Sequence, residues 1–273
     1  MTVLVTGATG NVGSQLVREL LDRDTPVRAL TRDPAKADLP EGVEVVAGDL
    51  TDPTTLTGAL RGAEALHLIN AAGADYAPLA HGPEIVRLAT EAGVRRVTFV
   101  AGGDDEPAEL AVRASDLEWT VLRPTEFMSN SLEWTDTIRA EGVVRAGFAG
   151  EKTTVIDPAD IAAVAAVVLT GGGHASETLA LTGREALTPP DRARIIGEVI
   201  GRPIEFVALS NAEVRQQMRD QGIDDDVADF VIAWHSDPPA EGSAIDPTVE
   251  RITGRAPSTF AEWVTANKEV FGG

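Results

Sequence analysis

The sequence predicts an α/β fold, a doubly wound parallel sheet of the Rossmann type followed by a small, mostly helical C-terminal cap. Three observations carry this. The apolar run Val3-Leu4-Val5 feeds straight into Thr6-Gly7-Ala8-Thr9-Gly10-Asn11-Val12-Gly13, three glycines spaced three apart, and then into a helical pattern. Short apolar runs alternate with helical stretches through the first half, as parallel strands joined by crossover helices require. In the second half the alternation lapses and helical patterns follow one another.

Strands are expected at residues 2–6, 27–31, 43–47, 65–69, 97–101 and 118–122, each a short run rich in apolar residues. Between the first two, Val12, Leu16, Val17, Leu20 and Leu21 recur at the spacing of one helix face. Ile85, Val86, Leu88 and Ala89 make a second stripe, closed by Gly93. Further on, residues 134–140 read as a helix. Residues 158–169 read as a strongly apolar helix that Gly171-Gly172-Gly173 ends, and 178–182 as a late strand. Helices are expected at 190–200, 212–221, 226–234 and 257–270, with a loop at 236–242. The division that follows is a first domain of residues 1–126, to which 155–182 return, and a cap of 127–154 and 183–273.

With 273 residues, 43% hydrophobic and only 4% aromatic, the core must be built mainly of Ala, Val, Leu and Ile. A formal net charge of -20 repels phosphate backbones and anionic bilayers, so neither nucleic acid nor membrane is an expected partner. A phosphorylated ligand then needs local positive groups to overcome the global field. The absence of cysteine excludes disulfides and thiolate chemistry, and His67, His81, His174 and His235 show no metal-ligand spacing, so no metal is expected. No basic-then-apolar leader opens the chain, and no apolar run approaches the ~18 residues of a membrane span. The expectation is a cytoplasmic monomer or homodimer acting on a small molecule.

An apolar strand, a glycine turn and a helix form the entry to a dinucleotide-binding βαβ unit. Gly7 permits the tight turn, Gly10 lets a pyrophosphate approach, and Gly13 lets the helix pack closely; Ala8, Thr9, Asn11 and Val12 complete the loop. The second strand ends Thr31-Arg32, where an NAD site usually carries an acid for the ribose hydroxyls. A guanidinium there suits a 2′-phosphate bidentately, so NADP(H) is the preferred cofactor and NAD(H) the alternative. Asp49-Leu50 follows the third strand. Its carboxylate reads either as an acceptor for the adenine amino group or as part of a helix-capping turn with Thr51 and Asp52. Asn70-Ala71-Ala72-Gly73 ends the fourth strand with small residues that leave room for ribose and nicotinamide, and Ala101 and Pro124 end the fifth and sixth.

Taken together, these features resemble the NmrA-like branch of the atypical short-chain dehydrogenase/reductase superfamily. The resemblance rests on residues 6–13, on Arg32, on Glu91-Ala92-Gly93-Val94 and on Thr120-Val121-Leu122-Arg123-Pro124-Thr125-Glu126-Phe127-Met128-Ser129-Asn130. It continues in Ile156-Asp157-Pro158-Ala159-Asp160-Ile161-Ala162, Gly201-Arg202-Pro203-Ile204 and Thr259-Phe260-Ala261-Glu262-Trp263. It implies an NADPH-dependent reductase that passes hydride to a quinone or conjugated carbonyl compound. The alternatives are a non-catalytic NADP(H) sensor that docks a partner, and a cofactor-using isomerase or dehydratase.

The superfamily's Ser, Tyr and Lys are expected to be missing. The fifth strand ends Val100-Ala101-Gly102-Gly103 without serine, and Tyr76, the single tyrosine, has Ala80 rather than lysine four residues on. Tyr76 and His81, in the segment after the fourth strand, are the candidate proton donors; the bland readings are a packing aromatic and a capping or surface histidine. Glu126, Phe127, Met128, Asn130, Trp134 and Trp234, with Tyr76, are candidate substrate contacts, each with a packing role as its competitor. His67, inside an apolar strand, reads as a core histidine, and Asp157 and Asp160 as helix-start acids.

Overall fold

The computed structural model describes residues 1–72, 77–102, 106–236 and 242–273. Tyr76 and most of the expected 236–242 loop lie outside the described residues. In chain order the elements are β1 (Val3–Val5), α1 (Asn11–Leu21), β2 (Val27–Thr31), β3 (Glu44–Ala47), α2 (Thr57–Leu60), β4 (Ala65–Ile69), β5 (Ala71–Ala72) and β6 (Ala77–Pro78). Then come α3 (Gly82–Glu91), β7 (Arg96–Val100), α4 (Pro107–Ala114), β8 (Glu118–Pro124), β9 (Glu126–Phe127), α5 (Thr135–Glu141), β10 (Val143–Ala146) and β11 (Thr153–Ile156). The remainder are α6 (Pro158–Gly171), β12 (Glu177–Leu181), β13 (Ala186–Leu187), α7 (Pro189–Ile200), β14 (Glu205–Ala208), α8 (Asn211–Asp220), α9 (Asp225–Ser236), α10 (Thr248–Thr253) and α11 (Phe260–Ala266). Two compact units result. One comprises Met1–Pro124, Pro158–Leu181 and Thr248–Arg255, the other Thr125–Asp157, Thr182–Pro247 and Ala256–Gly273.

The first unit is built on a seven-stranded sheet in the order β12-β8-β7-β4-β1-β2-β3, every neighbouring pair parallel. This is the Rossmann-type sheet that the alternation of strand and helix anticipates. Its interior strand β1 is buried at every residue, as a strand covered on both faces must be. From β1 the chain steps outward through β2 to β3, then returns to β4 on β1's other side. The carboxyl ends of β1 and β4 therefore flank the point where the winding reverses, the position at which such sheets bind ligands. The expected α1 stripe is buried at Val12, Leu16, Val17 and Leu20.

Helix α6 is apolar around most of its circumference and packs against both α1 and α10, so it has little solvent face to polarise. Its first-turn Asp160 is fully buried and paired with Arg255 Nη1 at 2.6 Å, a long-range partner no local pattern reveals. Phe99, Leu66, Leu68 and Ile85 are enclosed in the sheet-side core, each worth about 1.5–3 kcal/mol in burial. His67 is also fully buried, with Nδ1 2.8 Å from Thr98 Oγ1 on β7. Nε2 has no partner among the described residues. Burial among apolar walls pushes its pKa down to about 4, so it sits neutral in the core.

In the second unit β11 pairs in parallel with β9 and antiparallel with β13, and β10 pairs in parallel with β14. Its core holds Met128, Trp134, Ile138, Phe260, Trp263 and Phe271. Because β11 pairs with β9, residues 155–157 lie in this unit rather than with the large sheet. Because α10 packs on α6, residues 248–255 lie in the first unit. The last helix begins at Phe260, not at 257, and ends at Ala266 before a separate 3-10 turn, Lys268–Phe271. The cause is a capping box: Thr259 Oγ1 accepts from Glu262 N–H, and the Glu262 carboxylate accepts from Thr259 N–H at 2.7 Å. Among the described residues no helix is long and apolar enough to cross a membrane.

Candidate functional site

The glycine loop between β1 and α1 has the geometry each glycine requires. Gly7 takes φ +60°, and a Cβ there would stand 2.8 Å from Ile69 Cδ1. Gly10 N–H donates to Gly7 O at 2.9 Å, closing the turn, and Gly10 then serves as the N-cap of α1. It brings no side chain to cap the helix, and no acid sits in the first turn. A helix start of this kind favours an anion through its amides and dipole. Ala8 and Val12 are buried beneath the loop, whereas Thr9, Gly10 and Asn11 are exposed.

Beside the loop runs a groove of about 530 Å³, and Gly7, Thr9, Thr31, Arg32, Asp49 and Leu50 all line it. Sequence-named residues from the ends of three strands, β1, β2 and β3, thus line one groove. Leu30, Gly48 and Ile69 also line it; they escape a motif search because their role is only to shape the wall. Arg32 is exposed just past β2, and no ion pair engages it among the described residues. Its neighbour Asp33 is turned to other work, accepting from Ala35 N–H at 3.2 Å and pairing with Lys36 at 3.0 Å. Asp49 Oδ1 accepts from Thr51 N–H at 2.9 Å and from the Thr51 hydroxyl at 2.8 Å. Those two bonds, the backbone one foremost, hold the carboxyl below the usual range, and the Arg32 charge adds to them. Asp52, not Asp49, caps the following turn, accepting from Thr54 N–H at 3.1 Å.

The other cofactor candidates lie outside this groove. Asn70 is buried at the end of β4 and its Nδ2 donates to Glu106, while Oδ1 has no partner among the described residues. Ala71 and Ala72 pair with Pro78 and Ala77 in a two-strand ribbon. Ala101 is buried, its N–H donating to Leu122 O at 3.0 Å, and Pro124 ends β8 opposite Leu181. His81 is the exposed N-cap residue of α3, with no side-chain capping bond, which is the surface reading of that histidine.

The second unit holds a cavity of about 270 Å³. Glu126 and Trp134, two of the expected substrate contacts, are in its wall. Met128 is closed into the core, Phe127 pairs with Ile156 in β9, and Asn130 is exposed, so none of these three lines the cavity. Trp234 falls on α9, its side chain outside the described residues. Among the other polar wall residues, His235 is the one the sequence points to, beside Trp234, while Glu151, Thr153 and Arg192 carry no local signal. Arg192 Nη1 pairs with Glu126 Oε1 at 2.6 Å, while Glu126 Oε2 accepts from Thr153 Oγ1 at 2.9 Å. The Arg192 guanidinium lies over the Trp134 ring at 5.1 Å, an aromatic face that partly compensates a buried cation. On another wall His235 Nδ1 lies 2.8 Å from Glu151 Oε2, and its ring stacks on Phe148 at 4.2 Å.

A model of the NmrA-like family matches residues 1–263. The chain is 33% identical to the NAD(P)H azoreductase of Xenophilus azovorans, with 99% of each chain covered. It is 34% identical to the (4-alkanoyl-5-oxo-2,5-dihydrofuran-3-yl)methyl phosphate reductase of Streptomyces griseus subsp. griseus, over 98% of this chain and 99% of that one. Among solved structures it is similar to an NADPH-dependent quinone oxidoreductase of Escherichia coli complexed with NADPH. That match has a TM-score of 0.79 and 27% identity, and covers 97% of this chain and 99% of the other. The glycine loop, the parallel sheet and these whole-length similarities agree, and the chain belongs to the NmrA-like family.

Proposed function

We propose that this chain, an NAD(P)H-dependent oxidoreductase, binds NADP(H) on the first unit and reduces a conjugated acceptor of the quinone, enone or azo class held by the second. The single observation that carries the cofactor reading is Arg32, exposed in the groove wall and in no ion pair among the described residues. In a protein of net charge -20 such a cation is an uncommon resource, and a 2′-phosphate would use it. The cradle fits a diphosphate because α1 starts at Gly10 with no side-chain cap and no first-turn acid, so its first amides can receive an anion.

When bound, the reduced dinucleotide supplies hydride. What the residues of this chain supply is placement: the α1 amides and Arg32 fix the phosphates, and Leu50 offers an apolar wall for a planar ring. Strongly electrophilic acceptors need little more, since proximity and orientation alone lower a barrier by several kcal/mol. The acceptor classes follow from the azo and conjugated furanone chemistry in the relatives' names and from the quinone activity of the structural neighbour.

The test is oxidation of NADPH against a panel of quinones, enones and azo dyes. Turnover with at least one class, at lower KM for NADPH than for NADH, is the expected result. Tight nucleotide binding with no turnover on any acceptor would replace this reading with that of a nucleotide sensor.

A further inference from the structure

At the carboxyl edge of the first unit's sheet, a buried amide holds one carboxylate in place. Asn70 follows β4 and is 9% exposed. Its Nδ2 donates to Glu106 Oε2, 36 residues further along the chain. Glu106 is the N-cap residue of α4, yet its side chain makes no capping bond and turns to Asn70 instead. No cation pairs with it among the described residues. The amide also leaves its own Oδ1 without a donor among the described residues, and an unmet buried acceptor costs stability until a donor arrives. Beside the pair, Gly102 puts no side chain in the way: a Cβ there would stand 3.5 Å from Asn70 Nδ2 and 3.8 Å from Glu106 Oε1.

From this pair we infer that Glu106 binds the ribose on the nicotinamide side of the dinucleotide, its carboxylate accepting from the ribose hydroxyls while Asn70 fixes its position. The inference rests on the reading that the Gly7–Gly13 loop holds the diphosphate.

Topology gives the direction. Strands run in the order β7-β4-β1-β2-β3, so the loop after β1 has Arg32 on one side and Asn70 and Glu106 on the other. Thr6 ties the loop to β4, its Oγ1 accepting from Ile69 N–H at 3.0 Å, and Ile69 in turn pairs with Val100 at the end of β7. A dinucleotide carries one riboside at each end of its diphosphate. With the 2′-phosphate on Arg32, the second riboside is left to extend across β4 toward β7. The chemistry agrees. An ionised carboxylate accepts hydrogen bonds and repels phosphate, whereas vicinal hydroxyls offer it two O–H donors. An acid at a strand end is the usual reader of ribose hydroxyls. After β2 this chain has Arg32 at that position, and Glu106 puts an acid on the other half of the sheet edge.

Three ligands separate the parts of the nucleotide. One is 2′,5′-ADP, which stops at the adenosine side; 2′-phospho-ADP-ribose adds the second ribose, and NADP⁺ adds the ring. Calorimetry on Glu106→Ala should show 2′-phospho-ADP-ribose and NADP⁺ both weakened about tenfold or more, the effect of losing a hydrogen bond to a charged group. Binding of 2′,5′-ADP should stay within about twofold of wild type by the same arithmetic. Asn70→Ala, which frees the carboxylate, should give the same pattern to a smaller degree. A merely structural role for the pair would weaken all three ligands alike, and that result in Glu106→Ala would overturn the inference. So would a loss confined to NADP⁺, which would put the contact on the ring, or no loss with any ligand. A wild-type protein that binds none of the three contradicts the nucleotide reading itself, whereas one that binds all three leaves the variants to judge Glu106 alone.

Discussion

A Cβ placed on Gly13 would stand 2.1 Å from the carbonyl oxygen of Gly7. The first turn of α1 therefore lies directly on the β1–α1 turn, and this contact sets the position of the helix start against the loop. Gly13→Ala must push α1 outward, because the obstructing atom is backbone and cannot swing aside. Titration calorimetry should show NADPH affinity lower by at least about tenfold, and the melting temperature should fall, a steric overlap of this kind costing about 1–3 kcal/mol. Unaltered affinity would mean that the helix start does not shape the nucleotide site.

Arg32 supports a sharper expectation, since it bears on one phosphate only. Arg32→Glu should weaken NADPH binding by about 100-fold or more. This is the loss expected when a charge-assisted pair worth about 1.5–3 kcal/mol gives way to repulsion. NADH binding should change by no more than a few-fold. Parallel titrations of the two reduced nucleotides decide it, and equal losses would remove the case for 2′-phosphate recognition.

The buried His67 makes the fold acid-sensitive. Its folded-state pKa of about 4 lies below the usual 6.5, so on acidification the unfolded chain takes up the proton first. The stability tied to this residue is complete above pH 6.5 and declines toward pH 4, by about 3 kcal/mol over the window. Chemical denaturation of the wild type and His67→Gln across that range should show a shallower decline in the variant. Parallel pH curves would show that His67 is not the group responsible.

These expectations differ in how far the chain itself announces them. The glycine loop is legible because its requirements are local: a positive φ at Gly7, a close approach at Gly13, and a stripe of Val12, Leu16, Val17 and Leu20 that falls at one spacing. Arg32 is legible for the same reason, as the residue that follows a recognisable strand. The second unit's cavity is not. Glu126, Glu133, Glu151, Arg192 and His235 come from separate elements, and nothing in their separation along the chain marks them as neighbours. Strands β9 and β13, at two residues each, are too short to show a period. Thr259 reads in the sequence as one more residue of the expected 257–270 helix until its reciprocal bonds with Glu262 set where α11 begins.

The central claim is that the loop at Gly7–Gly13 and the groove at Arg32 hold NADP(H). Calorimetric titration of the wild-type protein with NADPH and with NADP⁺, read alongside the melting temperature, tests it most directly. Saturable heat at one site per chain and a raised melting temperature are expected, with NADH binding more weakly. Absence of both heat and melting shift with either nucleotide would contradict the claim and take the reductase reading with it.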